Sequence, residues 1–246
     1  MRLFLAPTSS ARLLRLLLVT LTALLLASSY ATAGVINEYS GSDDGASTAG
    51  PWPVSAATQA AFLGVAGSTS LLTFESLSVG FSNSINAAPG VTIALNAPDL
   101  GCDYSGICNG TFGSVYGFNV TAGGANWLGF PEGSATFSFA TPVTAFGMWI
   151  TGVQTIFTTT FTLTFDDGTS QTPNLPINVN GGTSYFGFTD TAAFSSITIT
   201  NLSNDAWGID DVSYSSQSAV PEPPSLMLLG SGLLGLAGLL RRKLMQ

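Results

Sequence analysis

The sequence contains no histidine, and its six lysines and arginines are confined to the two ends of the chain. Arg2, Arg12 and Arg15 lie near the N-terminus, residues 241–243 form a cationic C-terminal cluster, and residues 16–240 contain no Lys, Arg or His. Nucleic-acid binding needs cations that displace phosphate counterions, so it is excluded. Histidine general bases, histidine-paired nucleophiles and lysine or arginine phosphate clamps are excluded for the same reason.

The body of the chain also lacks long segments with apolar residues at helical spacing, and it contains short alternating runs instead. From residue 68 onward, β-branched and aromatic residues recur in short segments separated by Gly, Pro, Asn and Asp. This pattern predicts an all-β fold, a jelly-roll-like antiparallel β-sandwich over residues 68–215. Residues 34–67 are predicted to be an irregular lead-in with a short helix over 55–64, and 216–219 a linker. The predicted strands are 69–77, 91–96, 113–120, 126–130, 135–140, 143–150, 157–165, 183–189, 195–202 and 207–214.

Two of these runs predict which side chains form the core. Phe137 and Phe139 alternate with polar neighbours, and so does the segment 161–165, where Phe161, Leu163 and Phe165 share one face. Side chains on a strand point to alternate faces. The aromatic face is therefore predicted to be buried. The opposite face, which carries a threonine at every second position from 158 to 164, is predicted to face solvent.

The N-terminal 33 residues have the features of a secretory signal peptide. A positively charged segment precedes the apolar run "LLLVTLTALLLA", and the small residues Ala31 and Ala33 supply a cleavage site before Gly34. We expect signal peptidase to cut there, with an uncleaved membrane anchor as the alternative. The sandwich would then be flanked by a signal helix on its N-terminal side.

The C-terminus combines a proline motif, a short apolar helix and a cationic end. At about 1.5 Å per residue, a helix over 225–240 reaches roughly 24 Å, short of the ~30 Å hydrocarbon core, and the cations mark its cytoplasmic side. This order of Pro221-Glu222-Pro223, apolar helix and Arg241-Arg242-Lys243 resembles the PEP-CTERM sorting signal over residues 220–243. The resemblance implies processing by exosortase, a membrane-embedded protease, in a Gram-negative host. It also implies a cell-surface, outer-membrane or matrix destination after an inner-membrane precursor. A plain tail anchor is the alternative.

Acidic residues near the two ends of the β region form the candidate metal site. The segments "TFESL" and "WGIDDVSY" resemble the first and last strands of MAM-like and related jelly-roll carbohydrate-binding domains, and first and last strands of a jelly roll are commonly neighbours. Glu75 would then approach Asp210 or Asp211 with no cation nearby, so that one carboxylate takes up a proton or a hard dication binds. We predict a structural Ca²⁺ site at these three residues, with solvated strand-end acids as the alternative. Weaker candidates for completing the shell are Asp43, Asp44 and Asp205.

The cysteines and tryptophans give two further predictions. Cys102 and Cys108 are the only cysteines, and export to an oxidising space favours a disulfide between them. Four tryptophans are present, and Trp127, beside a glycine-rich turn, is predicted to be the exposed ring that stacks on a sugar.

Taken together, these features predict an exported protein that binds or adheres to extracellular polysaccharide or matrix without catalysing a reaction. A purely structural coat or biofilm matrix protein and a carboxylate-dependent glycan hydrolase are the alternatives. The predicted partners are exosortase and signal peptidase as processing enzymes, the membrane through the C-terminal helix before processing, and polysaccharide.

Overall fold

A computed structural model describes residues 37–100, 105–158, 160–201, 203 and 205–215 of the chain. These residues form eleven strands and one helix, and the predicted all-β antiparallel sandwich is confirmed. Among them, no helix has the length and apolarity needed to cross a membrane. The predicted signal helix and C-terminal helix lie outside the described residues. The elements are β1 Asn37–Asp44, α1 Pro53–Ala66, β2 Ser70–Leu72, β3 Ser84–Ala88, β4 Val91–Asn96, β5 Gly106–Cys108, β6 Trp127–Phe130, β7 Gly133–Thr151, β8 Thr162–Phe165, β9 Ser170–Gln171, β10 Gly182–Asn201 and β11 Trp207–Ser215.

Two long paired strands, β7 and β10, run through both layers of the sandwich. The first half of β7 pairs with β4 and with the second half of β10, which also pairs with β8. The second half of β7 pairs with β11 and with the first half of β10, which also pairs with β1. The β7–β10 register breaks between Thr189 and Ser196, where the two halves meet.

The bend in β7 is shown by the contact between Phe137 and Phe146. Nine residues of straight strand would separate these rings by about 30 Å, yet their centroids are 5.4 Å apart. The exposed segment 140–142 between them includes a proline, which cannot donate to a strand ladder. The strand therefore folds back on itself here, and the two layers face each other across an aromatic core.

The predicted alternation is confirmed at the core. Phe137 and Phe139 are buried, and so are the apolar residues at 161, 163 and 165. On the opposite face, Thr162 and Thr164 are half-exposed. Thr158 departs from this pattern, because it is buried and bonds to the Ser203 hydroxyl.

Within the described residues, the lead-in over 34–67 is more regular than predicted: it contains a strand and a helix, and residues 45–52 between them are irregular. Strand β1 pairs along the edge of β10, and α1, which confirms and extends the predicted helix, covers the outer face of the same layer. Phe62 packs on Tyr185 and Tyr39 with ring centroids 5.8 and 5.9 Å away. The side chain of Asp43 accepts hydrogen bonds from the backbone N–H groups of Val54 (3.0 Å) and Ser55 (2.8 Å), and so caps the helix N-terminus.

Three predicted strands are shorter than expected or absent, and one of them, 157–165, is reduced to β8 over Thr162–Phe165. Residues 113–120 form a loop, and the predicted strand 69–77 ends at Leu72, after which Phe74 adopts a φ of 63°. These irregular segments carry the candidate site. The first and last described residues, Asn37 and Ser215, lie close together in the layer formed by β1, β10, β7 and β11. Asn37 pairs with Thr189, Thr189 pairs with Ala145, and Ala145 pairs with Ser215.

Candidate functional site

A single surface loop, residues 119–126 ("NVTAGGAN"), is bonded to three carboxylates and is called the cleft loop below. The Glu75 carboxylate accepts hydrogen bonds from Asn119 Nδ2 (2.6 Å), the Ala125 N–H (2.9 Å) and the Asn126 N–H (3.0 Å). Glu75 lies in the turn that follows β2. The predicted strand would have continued through this residue, but the chain turns instead, and the Glu75 side chain reaches the cleft loop. Its three bonds fix the C-terminal end of the loop and one side chain at its start.

The other end of the cleft loop is bonded to β11. Asp210 Oδ2 accepts the N–H groups of Val120 (2.7 Å) and Thr121 (3.3 Å), and Asp210 Oδ1 accepts the N–H of Asp211 (2.8 Å). The hydroxyl of Thr121 donates to Asp211 Oδ1 (2.6 Å). Consecutive strand residues ordinarily point to opposite faces. Here the β11–β7 register shifts between Asp210 and Ser213, and Asp211 has a φ of 44°, so both carboxylates reach the same threonine.

Burial changes the acidity of these side chains. It raises the pKa of Asp210 to about 8; the N–H donated by Val120 opposes this, and the charge of Asp211 adds to it. Burial also raises the pKa of Asp211, against the hydrogen bond from Thr121 and with a further contribution from the charge of Glu75. The structure thus brings Glu75, Asp210 and Asp211 against one loop, with protonation favoured at the most buried of them, as expected for neighbouring acids without a cation.

The donors around these carboxylates bear on the predicted Ca²⁺ site. Calcium takes six to eight oxygen ligands, but Glu75 and Asp210 are already surrounded by N–H donors, which point positive ends at the oxygens a cation would need. Within the described ranges, no group of three or more His, Cys, Asp or Glu side chains is placed to hold a metal ion. The arrangement does not fit Ca²⁺, and calcium binding stays a prediction without support from this geometry.

The weaker calcium candidates each have a separate role away from the cleft loop. Asp43 caps α1. Asp44 accepts hydrogen bonds from the backbone N–H (2.7 Å) and side-chain amide (3.1 Å) of Asn180. Asp205 is buried, which raises its pKa, and accepts the N–H of Gln154 at 2.7 Å.

The cleft loop forms one wall of an open cleft of about 460 Å³, the Trp52 cleft. Across from the loop lie the segment before α1, with Trp52, and the segment after β5. Among the described residues that line this cleft, none is charged; the side chains are those of threonine, asparagine, alanine, valine and tryptophan. The lining residues are Thr48, Ala49, Trp52, Asn109, Thr111 and residues 119–125.

Trp52 presents a fixed, partly exposed ring to this cleft. The ring packs against Trp149 (5.8 Å between centroids) and Phe118 (6.2 Å), and its Nε1–H donates to the carbonyl of Ser47 at 2.8 Å. Aromatic rings held in this way offer a flat apolar face at small entropic cost. The ring is therefore suited to stacking on a ligand.

The predicted sugar-stacking ring, Trp127, is in the wrong place for that role. Its side chain is 1 % exposed and donates its Nε1–H to the Gly110 carbonyl at 3.0 Å. Trp149 and Trp207 are buried as well, which leaves Trp52 as the tryptophan on a cleft wall. The sequence did contain a signal for Trp52, which lies between Pro51 and Pro53. Proline is tolerated at the first position of a helix but not in its interior, so these prolines place Trp52 just before a helix rather than within one.

Several predicted sites fall on residues that the structure does not describe. Cys108 is buried in β5, but Cys102 lies outside the described residues, so the disulfide stays a prediction. The signal cleavage site at Ala33 and Gly34 and the C-terminal motif, with its proline segment and cationic end, also lie outside them.

Comparison with known families tests the C-terminal prediction. Residues 219–243 match the PEP-CTERM protein-sorting motif, which confirms the sorting signal inferred from the proline segment, apolar run and terminal cations. No curated protein matches the chain.

Proposed function

We propose that this exosortase-sorted, exported protein, marked by its PEP-CTERM motif, binds neutral polysaccharide in the Trp52 cleft and catalyses no reaction there. The observation that carries the proposal is the cleft itself, an uncharged groove with an aromatic ring on one wall and amide and hydroxyl groups on the others. Its volume lies within the roughly 300–1,000 Å³ typical of ligand sites.

The chemistry of the cleft walls matches that of a sugar. A pyranose ring has apolar C–H faces and a rim of hydroxyls that both donate and accept hydrogen bonds. Trp52 supplies a face for stacking, and Asn109 and Thr111 supply polar groups of both kinds. The Asn119 side chain also lines the cleft, but its Nδ2 already donates to Glu75 and to the Asn126 carbonyl. This combination of one aromatic ring with a few convergent polar groups is typical of small-ligand sites.

Charge favours a neutral polymer over an acidic one. Residues 16–240 contain no cation that could pair with a uronate or sulfate group. The N–H groups of Val120, Thr121 and Ala125 donate to carboxylates beneath the loop, so they are not available to an anion in the cleft. Those carboxylates would instead repel it.

The placement of the acids supports binding without hydrolysis. A glycoside hydrolase needs two carboxyl groups on opposite sides of the scissile bond, about 5–9.5 Å apart. Here Glu75, Asp210 and Asp211 all accept hydrogen bonds from the same loop. Turnover of a polysaccharide that disappears on neutralising one of these acids would favour the hydrolase alternative.

The test is binding of the exported protein to soluble neutral and acidic polysaccharides, measured by affinity electrophoresis and by calorimetry with oligosaccharides. We expect Trp52→Ala to weaken binding of a neutral polymer at least tenfold, since stacking is lost, while acidic polymers bind weakly to both forms. Phe157→Ala is the matched control, because this ring is 62 % exposed but does not line the cleft.

Equal binding by wild type and Trp52→Ala would contradict the proposal, as would tighter binding of acidic polymers. Failure of the wild type to bind any polysaccharide would favour the alternative, a structural coat or matrix protein with no discrete ligand.

A further inference from the structure

We propose that Glu75 and the Asp210–Asp211 pair are positioning residues for the Trp52 cleft: by bonding to both ends of the cleft loop they set the wall against which a polysaccharide binds. This inference rests on the proposed function for the identity of the ligand. Its structural part, that these acids order the loop, is testable without any ligand.

The hydrogen bonds divide between the two ends of the loop. Asp210 and Asp211 accept three donors from residues 120 and 121. Glu75 accepts two backbone donors from residues 125 and 126, and a third from the side chain of Asn119. The apex between these anchors, residues 122–124, has a single turn bond, from the Gly124 N–H to the Thr121 carbonyl at 2.9 Å.

The contact between the loop and Glu75 leaves no space between them. A Cβ atom built on Gly124 would overlap the Glu75 carboxylate. The residues that the acids hold are also the residues that line the cleft, since 119–125 form its wall. A shift of the carboxylates therefore moves the cleft wall, although the carboxylates themselves do not line the cleft.

The absence of cations explains why this loop depends on the acids. Buried carboxylates are costly unless their charge is compensated, and residues 16–240 contain no Lys, Arg or His. Backbone N–H groups, the Asn119 amide and the Thr121 hydroxyl supply the compensation instead. The same hydrogen bonds therefore order the loop and stabilise the buried carboxylates. Removing one acceptor frees the loop donors that bond to it.

The first experiment compares Glu75→Gln with Glu132→Gln, a change at an exposed glutamate outside the cleft. A glutamine retains the size of Glu75 but turns one acceptor oxygen into a donor that opposes the loop N–H groups. We expect at least tenfold faster hydrogen exchange at the amides of Ala125 and Asn126, and about tenfold weaker binding of the neutral polysaccharide. Glu132→Gln should leave both unchanged.

The second experiment uses Thr121, where the substitution is nearly isosteric and the fold is retained. Thr121→Val removes the hydroxyl that donates to Asp211, and Thr121→Ser keeps it. A hydrogen bond to a charged group contributes more than a bond between neutral groups. We therefore expect Thr121→Val to weaken polysaccharide binding about three- to tenfold, and Thr121→Ser to bind as the wild type does. A purely structural role for the threonine side chain would instead follow its volume, and valine would be the better substitute.

The outcomes separate the two proposals. Wild type that binds no polysaccharide defeats the proposed function, while the exchange rates still decide whether the acids order the loop. Wild type that binds, with exchange and affinity unchanged in Glu75→Gln and Thr121→Val, overturns the positioning inference. Loss of binding in EDTA that Ca²⁺ restores would also overturn it, because the acids would then act as metal ligands.

Discussion

At the scale of single residues, Trp52 and Trp127 show how the same side chain takes opposite roles. Trp127 donates to a backbone carbonyl inside the fold, and Trp52 packs on two other rings while part of its surface faces the cleft. Nothing in the glycine-rich neighbourhood of Trp127 indicates that β6 is an interior strand between β5 and β11. Exposure of one ring depends on strand order, which short-range patterns do not contain.

Asp210 makes stability depend on pH in the direction opposite to that of an ordinary paired acid. Its pKa is about 8 in the folded protein and near 3.9 in an unfolded chain. Between these values the folded state holds a proton that the unfolded state has released, so the free energy of unfolding falls as pH rises from about 4 to about 8. One such group contributes a slope of up to about 1.4 kcal/mol per pH unit. The raised pKa values of Asp211 and Asp205 act in the same direction.

Chemical denaturation at several pH values measures this slope. We expect Asp210→Asn to flatten it, because the asparagine cannot titrate, whatever the absolute stability of the variant. A wild type whose stability rises across the same interval would show that Asp210 is ionised in the folded protein at neutral pH.

At the scale of elements, the cap on α1 couples the helix to the sheet. The sequence predicts a short helix over 55–64, but the residue that caps it is Asp43 at the end of β1, eleven positions before Val54. An N-cap normally lies immediately before its helix, so the acidic pair at 43–44 carries no local signal of this role. Once β1 has paired with β10, Asp43 lies beside the first turn.

Removing this cap should destabilise the fold by an amount typical of helix caps. We expect Asp43→Ala to reduce the free energy of unfolding by about 1–2 kcal/mol, since two N–H groups of the first turn lose their acceptor. Asp43→Asn should reduce it less, because an amide oxygen still accepts. Urea denaturation of the three proteins measures both effects; equal stability of Asp43→Ala and wild type would show that water replaces the carboxylate at no cost.

Some strands are likewise determined by their local sequence pattern, and others by partners that are distant in sequence. Segment 91–96 alternates buried and exposed residues along its whole length, and its prediction matches β4. Segment 113–120 also contains β-branched and aromatic residues but forms a loop, in which backbone groups find partners outside a strand ladder. The Phe118 N–H donates to Thr151 Oγ1 at 3.0 Å, and the Ser114 carbonyl accepts from the Gly182 N–H at 2.6 Å. Strand β1 shows the reverse, a polar segment made into a strand by the edge of β10.

At the scale of the whole molecule, the C-terminal motif indicates how the protein is sorted. The PEP-CTERM motif supports an exported, cell-surface protein with a membrane-anchored precursor. We further propose that signal peptidase cuts before Gly34, that exosortase cuts near Pro221, and that the mature protein resides on the outer membrane or in the matrix of a Gram-negative bacterium. Both ends of the described domain lie at the same end of one layer.

Mass spectrometry of the protein recovered from the cell surface tests this processing. We expect a mature N-terminus at Gly34 and the loss of the cationic residues 241–243, because we predict that both apolar segments are removed during export. Recovery of the intact chain, with both apolar segments attached, would contradict the prediction and favour permanent anchoring.

The sequence by itself determined the destination and the class of fold. Sorting motifs are contiguous peptides, and strand alternation repeats every two residues, so both are legible without any knowledge of distant contacts. The exclusion of cation-dependent functions is equally a matter of composition. Only the tertiary structure decided which tryptophan reaches a cleft and what the three acids do, because Glu75 and Asp210 lie 44 or more positions from the cleft-loop donors that they accept. Those partners come together only when β11 lies between β6 and β7 and the 119–126 loop closes over its bulge.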